Sequence, residues 1–453
     1  MNKQAKGWGT GWLVACWLFT GFTGLLPEHT AAGEAQGADS ATFLSGRDGV
    51  ALATGSDTQP VGASVEELLQ IARQMNPEVA AAALDADAAA ARVKGADALP
   101  DSKLLFTFDD ISKSNSGWPG RVGTYKYTLQ QEIPGWGKRE SKRQIAEAGS
   151  REANSQLEER ITDLLMRVKA AYADYHRVHL SMDQTRELLQ IMRVVVVFAR
   201  ARYAQGMALQ AEATSAEAER GALSSELVRL EKERHRLRVR LNALLNRHPD
   251  APLVEHPHLR PLPAAQVLDY ETLWQRAQAA NPALKMAQAK VEGSTEEIQL
   301  ARKNWLPDLE VGVGLVNPRQ EGGRDGYEAM LSLNLPLQTG WRVAAEQEAV
   351  AKQQAASARL NLAHLQLAAN LREALLSLEE SRAVEKSTVD ILLPQARIAL
   401  HSALKGYEAG SVEAVTVLDA IQRLKKFHIE QIQAQFEQQV RLAEIERLIG
   451  GDL

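Results

Sequence analysis

Between Leu157 and Tyr203 the apolar positions recur in unbroken steps of four and three: Leu157, Ile161, Leu164, Val168, Ala171, Tyr175, Val178, Met182, Thr185, Leu189, Met192, Val196, Ala199 and Tyr203. This is a heptad seam. The proline-free stretch that carries it, Lys138–Ala204, predicts one helix roughly 90–100 Å long at about 1.5 Å per residue. No single compact domain has that diameter. Three more stretches, Met207–His248, Trp341–Leu393 and Ser411–Ile449, are free of proline and rich in Ala, Glu, Gln, Leu and Arg, so they predict helices of the same kind. Pro394 is the one proline that falls among them.

Between the helical stretches the period changes to two. Leu104, Phe106 and Phe108 alternate with Thr107 and Asp109, and Tyr125, Tyr127 and Leu129 with Lys126, Thr128 and Gln130. Later, Leu309, Val311, Val313 and Leu315 alternate with Glu310, Gly312 and Gly314, and Ala329, Leu331, Leu333 and Leu335 with Ser332 and Asn334. Four strands are predicted, each apolar on one face. A half-buried soluble sheet has this pattern, and so does a strand crossing a bilayer, which needs roughly 9–11 residues. Trp136, Trp305 and Trp341 stand beside the strand-to-helix junctions, where a membrane barrel places its aromatic girdle, and they favour the bilayer. The polar, turn-rich segments Ile111–Gly120 and Asn317–Gly326 suit exposed loop tips.

The order of elements occurs twice. Asn76-Pro77 returns as Asn281-Pro282, Leu99-Pro100-Asp101 as Leu306-Pro307-Asp308, Ile133-Pro134 as Leu335-Pro336, and Tyr203-Ala-Gln-Gly206 as Tyr407-Glu-Ala-Gly410. A period of about two hundred residues is too long for a solenoid and points to two pseudo-equivalent halves. The boundaries read from it are 64–248 and 266–453, joined by a proline-rich linker over 249–265. Pro134 and Pro336 each end a strand ahead of a long helix, which predicts that they set the turn from strand to helix.

Four strands cannot close a barrel, and an open edge cannot face lipid with its backbone groups unsatisfied. Other copies must supply the rest: a barrel takes at least about eight strands, so two copies are the minimum, and three give twelve.

The amino terminus reads as an export signal over 1–32: Lys3 and Lys6, an apolar run from Trp12 to Leu26, and small residues at Thr30-Ala31-Ala32 for cleavage. Leu13-Val14-Ala15-Cys16 offers the alternative of lipidation at Cys16. Cys16 is the single cysteine, so neither a disulfide framework nor a thiolate metal site is available. Residues 33–63 form a low-complexity arm. A net charge of −5 gives no basic footprint for nucleic acid.

The ordered, doubled set of motifs resembles the TolC-type outer-membrane efflux proteins, over residues about 64–449. That resemblance implies a homotrimer of mixed α and β structure. Long helical hairpins would form a periplasmic α-barrel, and the four transmembrane strands of each protomer would close as a 12-stranded β-barrel. It further implies partners: a periplasmic adaptor, an inner-membrane pump of the RND type, and outer-membrane lipid. Tyr203, Gly206, Tyr407 and Gly410 then belong to the periplasmic hairpin tips where the adaptor docks, and Asp419 matches a pore-gate aspartate. Thr416 and Val412 depart from the drug-exporting pattern at that gate. The segment Tyr127–Arg139 is similar to the heavy-metal CusC and CzcC branch, which points to metal cations as cargo.

His176 and His179 on one helix, and His248, His256 and His258 with Asp250 and Glu255 in the linker, have spacings that could hold a metal transiently or be solvated surface. No HExxH, Walker lysine loop or GxSxG motif is present, so no enzymatic chemistry and no cofactor are expected. Two other readings fit the same chain: the export duct of a type I protein-secretion system, and a non-conducting periplasmic coiled-coil protein.

Overall fold

Each half opens with two helices whose ends are set by polar caps. α1 (Val65–Met75) is capped by Ser64, whose hydroxyl accepts from the Glu67 amide, and α2 (Pro77–Ala96) by Asn76, with Pro77 at the first turn where no donor is missed. The second half repeats this with α5 (Tyr270–Ala280), capped by Asp269, and α6 (Pro282–Lys303), capped by Asn281 ahead of Pro282. The computed structural model describes residues 60–111, 122–255, 257–319 and 323–453. The predicted signal segment with Cys16, most of the 33–63 arm, most of the first loop tip and His256 lie outside the described residues.

Two strands follow each helix pair: β1 (Lys103–Asp109) and β2 (Thr124–Ile133), then β3 (Asp308–Pro318) and β4 (Gly326–Asn334). They make one antiparallel sheet in the order β1-β2-β3-β4, so the two halves meet edge to edge at the β2–β3 pair. β1 and β4 are left as its two edges.

The long helices carry the rest. α3 (Lys138–Ala204) runs 67 residues without a break and hairpins into α4 (Gln210–Leu244). Its seam is buried from Leu164 through Ala199, while Leu157 and Ile161 are half-buried and Tyr203 points outward at the end. In the second half α7 (Gly340–Ser387), a π turn over Thr388–Leu392 and α8 (Leu393–Glu408) form one rod, which hairpins into α9 (Ala414–Ile449). The predicted stretch Trp341–Leu393 runs on through Pro394 into α8, and ahead of that proline the rod holds a π turn, because proline cannot donate to the α ladder.

α3 packs on α2 and α6 near the sheet and on α4 and α9 farther away, while α7 packs on α6 and α9. The halves are also joined by a buried ionic cluster. Lys169 Nζ lies 2.8 Å from Glu446 Oε2, and Arg260 from the linker grips both Glu446 oxygens at 2.7 and 2.8 Å. Among the described residues no helix is long and apolar enough to cross a membrane.

Candidate functional site

The sheet is inverted relative to a soluble protein. Leu104, Leu129 and Val313 lie in one cross-strand row, Phe106, Tyr127 and Leu315 in the next, and Val311 faces Leu331. All are on the outward face: Phe106 is 58% exposed, Val313 65% and Leu331 69%. The opposite face carries Lys126, Thr128, Gln130, Glu132, Glu310 and Glu328, and here Thr124, Thr128 and Gln130 are buried. Lys126 Nζ sits between Asp109 at 2.7 Å and Glu328 at 3.6 Å, so charges on three strands satisfy one another on this inner side. A belt of large apolar side chains left in water would cost about 25 cal/mol per Å². Polar inside and apolar outside is the arrangement of a barrel wall in lipid.

Below the sheet the chain turns into the tunnel. Pro134 directly follows β2, and Pro336 lies between β4 and α7. Trp136 is 94% exposed beside the first junction; Trp341 is exposed beside the second, with the Arg342 guanidinium 4.4 Å over its ring, and Trp305 is half-buried between α6 and β3. The first junction is pinned by residues that sequence reasoning passed over. Lys138 Nζ, at the buried start of α3, donates to Asp308 Oδ1 at 2.7 Å and to the Leu306 carbonyl at 3.0 Å, and the Gly135 amide donates to the same Asp308 oxygen at 2.6 Å.

At the far end both hairpins turn on the same motif. Gly206 has φ 70° and Gly410 φ 77°. Gly206 N–H donates to the Tyr203 carbonyl at 2.9 Å and Met207 N–H to Arg202 at 2.8 Å; Gly410 N–H donates to Tyr407 at 3.1 Å and Ser411 N–H to Gly406 at 2.8 Å. Two hydrogen bonds around a left-handed residue close each helix end.

The two tyrosines, equivalent in sequence, are not equivalent in place. Tyr203 is 47% exposed, whereas Tyr407 is 2% exposed, packed among the helices of both hairpins. Arg202 reaches it from the other hairpin, its Cζ 4.9 Å from the Tyr407 ring centre and its Nη1 3.3 Å from the Tyr407 carbonyl. Burial, and then the Glu212 carboxylate, push the Tyr407 hydroxyl above its ordinary range, and that hydroxyl is buried with no hydrogen-bond partner among the described residues.

Asp419 lies on the exposed face of α9, and Arg423 one turn on pairs with it, Nη2 to Oδ2 at 2.7 Å. The four-residue spacing makes this pair readable from sequence, yet the resemblance that singled out Asp419 does not include Arg423.

The described histidines do not gather into one cluster. His179 stacks edge-on against Tyr175 at 4.6 Å, His176 is partly buried near His258, and His248 caps a turn by accepting from Asp250 N–H at 3.3 Å. Among the described residues no group of three or more His, Cys, Asp and Glu side chains is placed to hold a metal ion.

A sheet built for lipid on one face and water on the other, standing on hairpins of this length, defines the wall of a membrane β-barrel that continues into a helical tunnel. The chain belongs to the outer membrane efflux protein family, whose pattern it matches over residues 68–247 and 273–451. It is an outer-membrane efflux channel with a long periplasmic helical portion.

The fold is similar to that of the outer membrane protein VceC from Vibrio cholerae, with a TM-score of 0.74 at 20% identity, covering 86% of this chain and 97% of that one. A membrane protein from Pseudomonas aeruginosa superposes with a TM-score of 0.76 at 20% identity, over 87% of this chain and 91% of the other. The channel CusC gives 0.68 at 17% identity, over 88% and 94%. No curated protein sequence matches the chain significantly.

Proposed function

We propose that the chain works as a homotrimer whose three four-stranded sheets close one 12-stranded barrel, and that it passively conducts cargo delivered by a periplasmic adaptor and an inner-membrane pump. The observation that carries this is the inverted sheet with both edges free: β1 and β4 can satisfy their backbone groups in lipid only against other copies. With no catalytic constellation expected, the energy for transport comes from the pump. The RND type is the one implied by the family resemblance.

The hairpin tips around Gly206 and Gly410 are the docking surface for the adaptor, and Asp419 with Arg423 lines the narrow entrance. Pro134 and Pro336 mark the turn from barrel to tunnel, with Trp136, Trp305 and Trp341 at the membrane interface. Metal cations are the proposed cargo, supported by the likeness of Tyr127–Arg139, from β2 into α3, to the heavy-metal branch.

Native mass spectrometry of the detergent-extracted protein is expected to give a trimer; a stable monomer with full β content would overturn the assembly. Deleting the gene should lower tolerance to divalent or monovalent soft metal ions and leave tolerance to lipophilic drugs unchanged. The reverse result removes metals as cargo.

A further inference from the structure

The two hairpins differ in length by one residue, and the difference can be located. Arg139 and Arg342 do the same work in each half: the Nε of each donates to the carbonyl that ends the preceding helix, Asp97 at 2.6 Å and Asn304 at 3.0 Å. The buried threonines Thr185 and Thr388 are separated in sequence by the same number of residues as that arginine pair. The tip pairs, Tyr203 with Tyr407 and Gly206 with Gly410, are one residue further apart. One residue has therefore entered the second hairpin between Thr388 and Tyr407.

The structure shows how it is absorbed. Thr388–Leu392 forms a π turn, closed by the Leu393 N–H donating to the Thr388 carbonyl five residues back. A single inserted residue in an α-helix takes this form. Pro394 holds it there, because it has no N–H and its ring crowds the carbonyl four residues earlier, that of Asp390. In the unbroken α3, the Thr185 hydroxyl donates to the Ser181 carbonyl at 2.7 Å. Its counterpart on Thr388 is buried with no hydrogen-bond partner among the described residues. The second hairpin thus has a weak point in its ladder and an unsatisfied buried group at the same place, and the first hairpin has neither.

We infer that the π turn at Thr388–Leu392 is the hinge of the channel entrance: α8 swings about it to open the tunnel while α3 stays a rigid strut. This rests on the reading of the hairpin tips as the narrow end of a conduit. α8 is 16 residues long, a lever of roughly 24 Å. It ends at Tyr407, the residue that Arg202 of the other hairpin holds. A small change of angle at Thr388 moves that tip by several times the displacement at the turn.

The test compares the wild-type trimer with a variant that lacks Asp390 and carries Pro394→Ala, which makes this rod as continuous as α3. Hydrogen exchange over 388–393 is expected to be at least ten-fold faster than over 185–190 in the wild type and to match it in the variant. In planar bilayers the variant trimer should open at least ten-fold less often. Equal exchange at the two sites in the wild type, or a variant trimer that opens as often as the wild type, overturns the hinge.

Should the deletion prevent assembly, Pro394→Ala alone keeps the chain length and restores the donor. It is expected to slow exchange at the turn at least three-fold, and unchanged exchange there counts against the proposal. A wild-type trimer that conducts no ions while the turn exchanges fast would refute the conduit and leave the local hinge standing.

Discussion

Asn76 and Leu244 are joined by a 2.8 Å hydrogen bond from the side-chain Nδ2 to the carbonyl at the end of the last helix in the first half. Asn281 makes the same bond, also 2.8 Å, to Leu448 at the end of the second. The other side-chain atom of each asparagine caps its own helix, Oδ1 accepting from Glu78 N–H at 2.8 Å and from Leu284 N–H at 3.0 Å. The repeated Asn-Pro is therefore a clasp that closes each half on itself. Asn281→Ala should destabilise the protein by about 2–4 kcal/mol, combining a lost cap with an orphaned buried carbonyl. Asn281→Ser keeps a capping oxygen and should cost about half as much. Thermal unfolding followed by circular dichroism reads both, and an Asn281→Ser variant as stable as the wild type would deny the clasp its second bond.

Gly206 and Gly410 sit in left-handed backbone with open space where a β-carbon would stand, so a side chain there would meet strain rather than a clash. Gly206→Val or Gly410→Val should each cost about 1–2 kcal/mol locally and impair export while the trimer persists. Loss of the trimer on native mass spectrometry would assign these glycines to folding alone.

Arg423 changes what Asp419 can do at the proposed entrance, since the two charges of the pair offset each other. Asp419→Asn should shift the reversal potential in a salt gradient toward anions by leaving three arginines uncompensated in the trimer. Arg423→Gln should shift it toward cations. Unchanged selectivity in both variants returns the pair to the solvated surface.

His176 and His428 are held below the usual histidine range, chiefly by burial, with His258 adding to the effect at the first and Arg397 at the second, where Glu187 opposes it. A depressed folded value means that the unfolded chain takes up protons first as the pH falls. Their contribution is therefore whole above about pH 6.5 and is lost below it. Melting temperature should fall between pH 7.5 and 5.5, and His428→Gln should flatten that slope. A slope unaltered by replacing both histidines would place the pH response elsewhere.

Glu446 is buried between Lys169 and Arg260. Glu446→Gln takes the anion from half-buried Arg260 and leaves buried Lys169 with Asp452 alone, and should cost about 3–5 kcal/mol, whereas Arg151→Gln, which breaks an exposed pair with Glu292, should cost under about 1 kcal/mol. Comparable losses in urea titrations would mean that the buried cluster is hydrated.

Much of this architecture is written in local periodicities. The heptad steps from Leu157 to Ala199, the alternation through Phe106 and Val313, and the placement of Pro134 and Pro336 each depend on neighbours a few residues away. Helix, strand and junction were therefore legible, and so was the doubling. Alternation alone left open which face of the sheet meets water, because a soluble and a membrane sheet share period two. The packing decided it by burying Thr128 and Gln130 and exposing Phe106 and Leu331.

The sequence by itself determined two equivalent halves, their helices and strands, and the glycine turns at their tips, since each follows from backbone preferences and short-range spacing. Only the tertiary structure decided where equivalent residues part company. Tyr407 is buried under Arg202 while Tyr203 stays exposed; Lys138 is tied to Asp308 across the two halves, and Thr388 opens a π turn where Thr185 stays helical. The physical reason is that a repeat copies chemistry, while each copy meets a different neighbour. Contacts between residues so far apart in the chain are set by which helices lie side by side, and no local period encodes that.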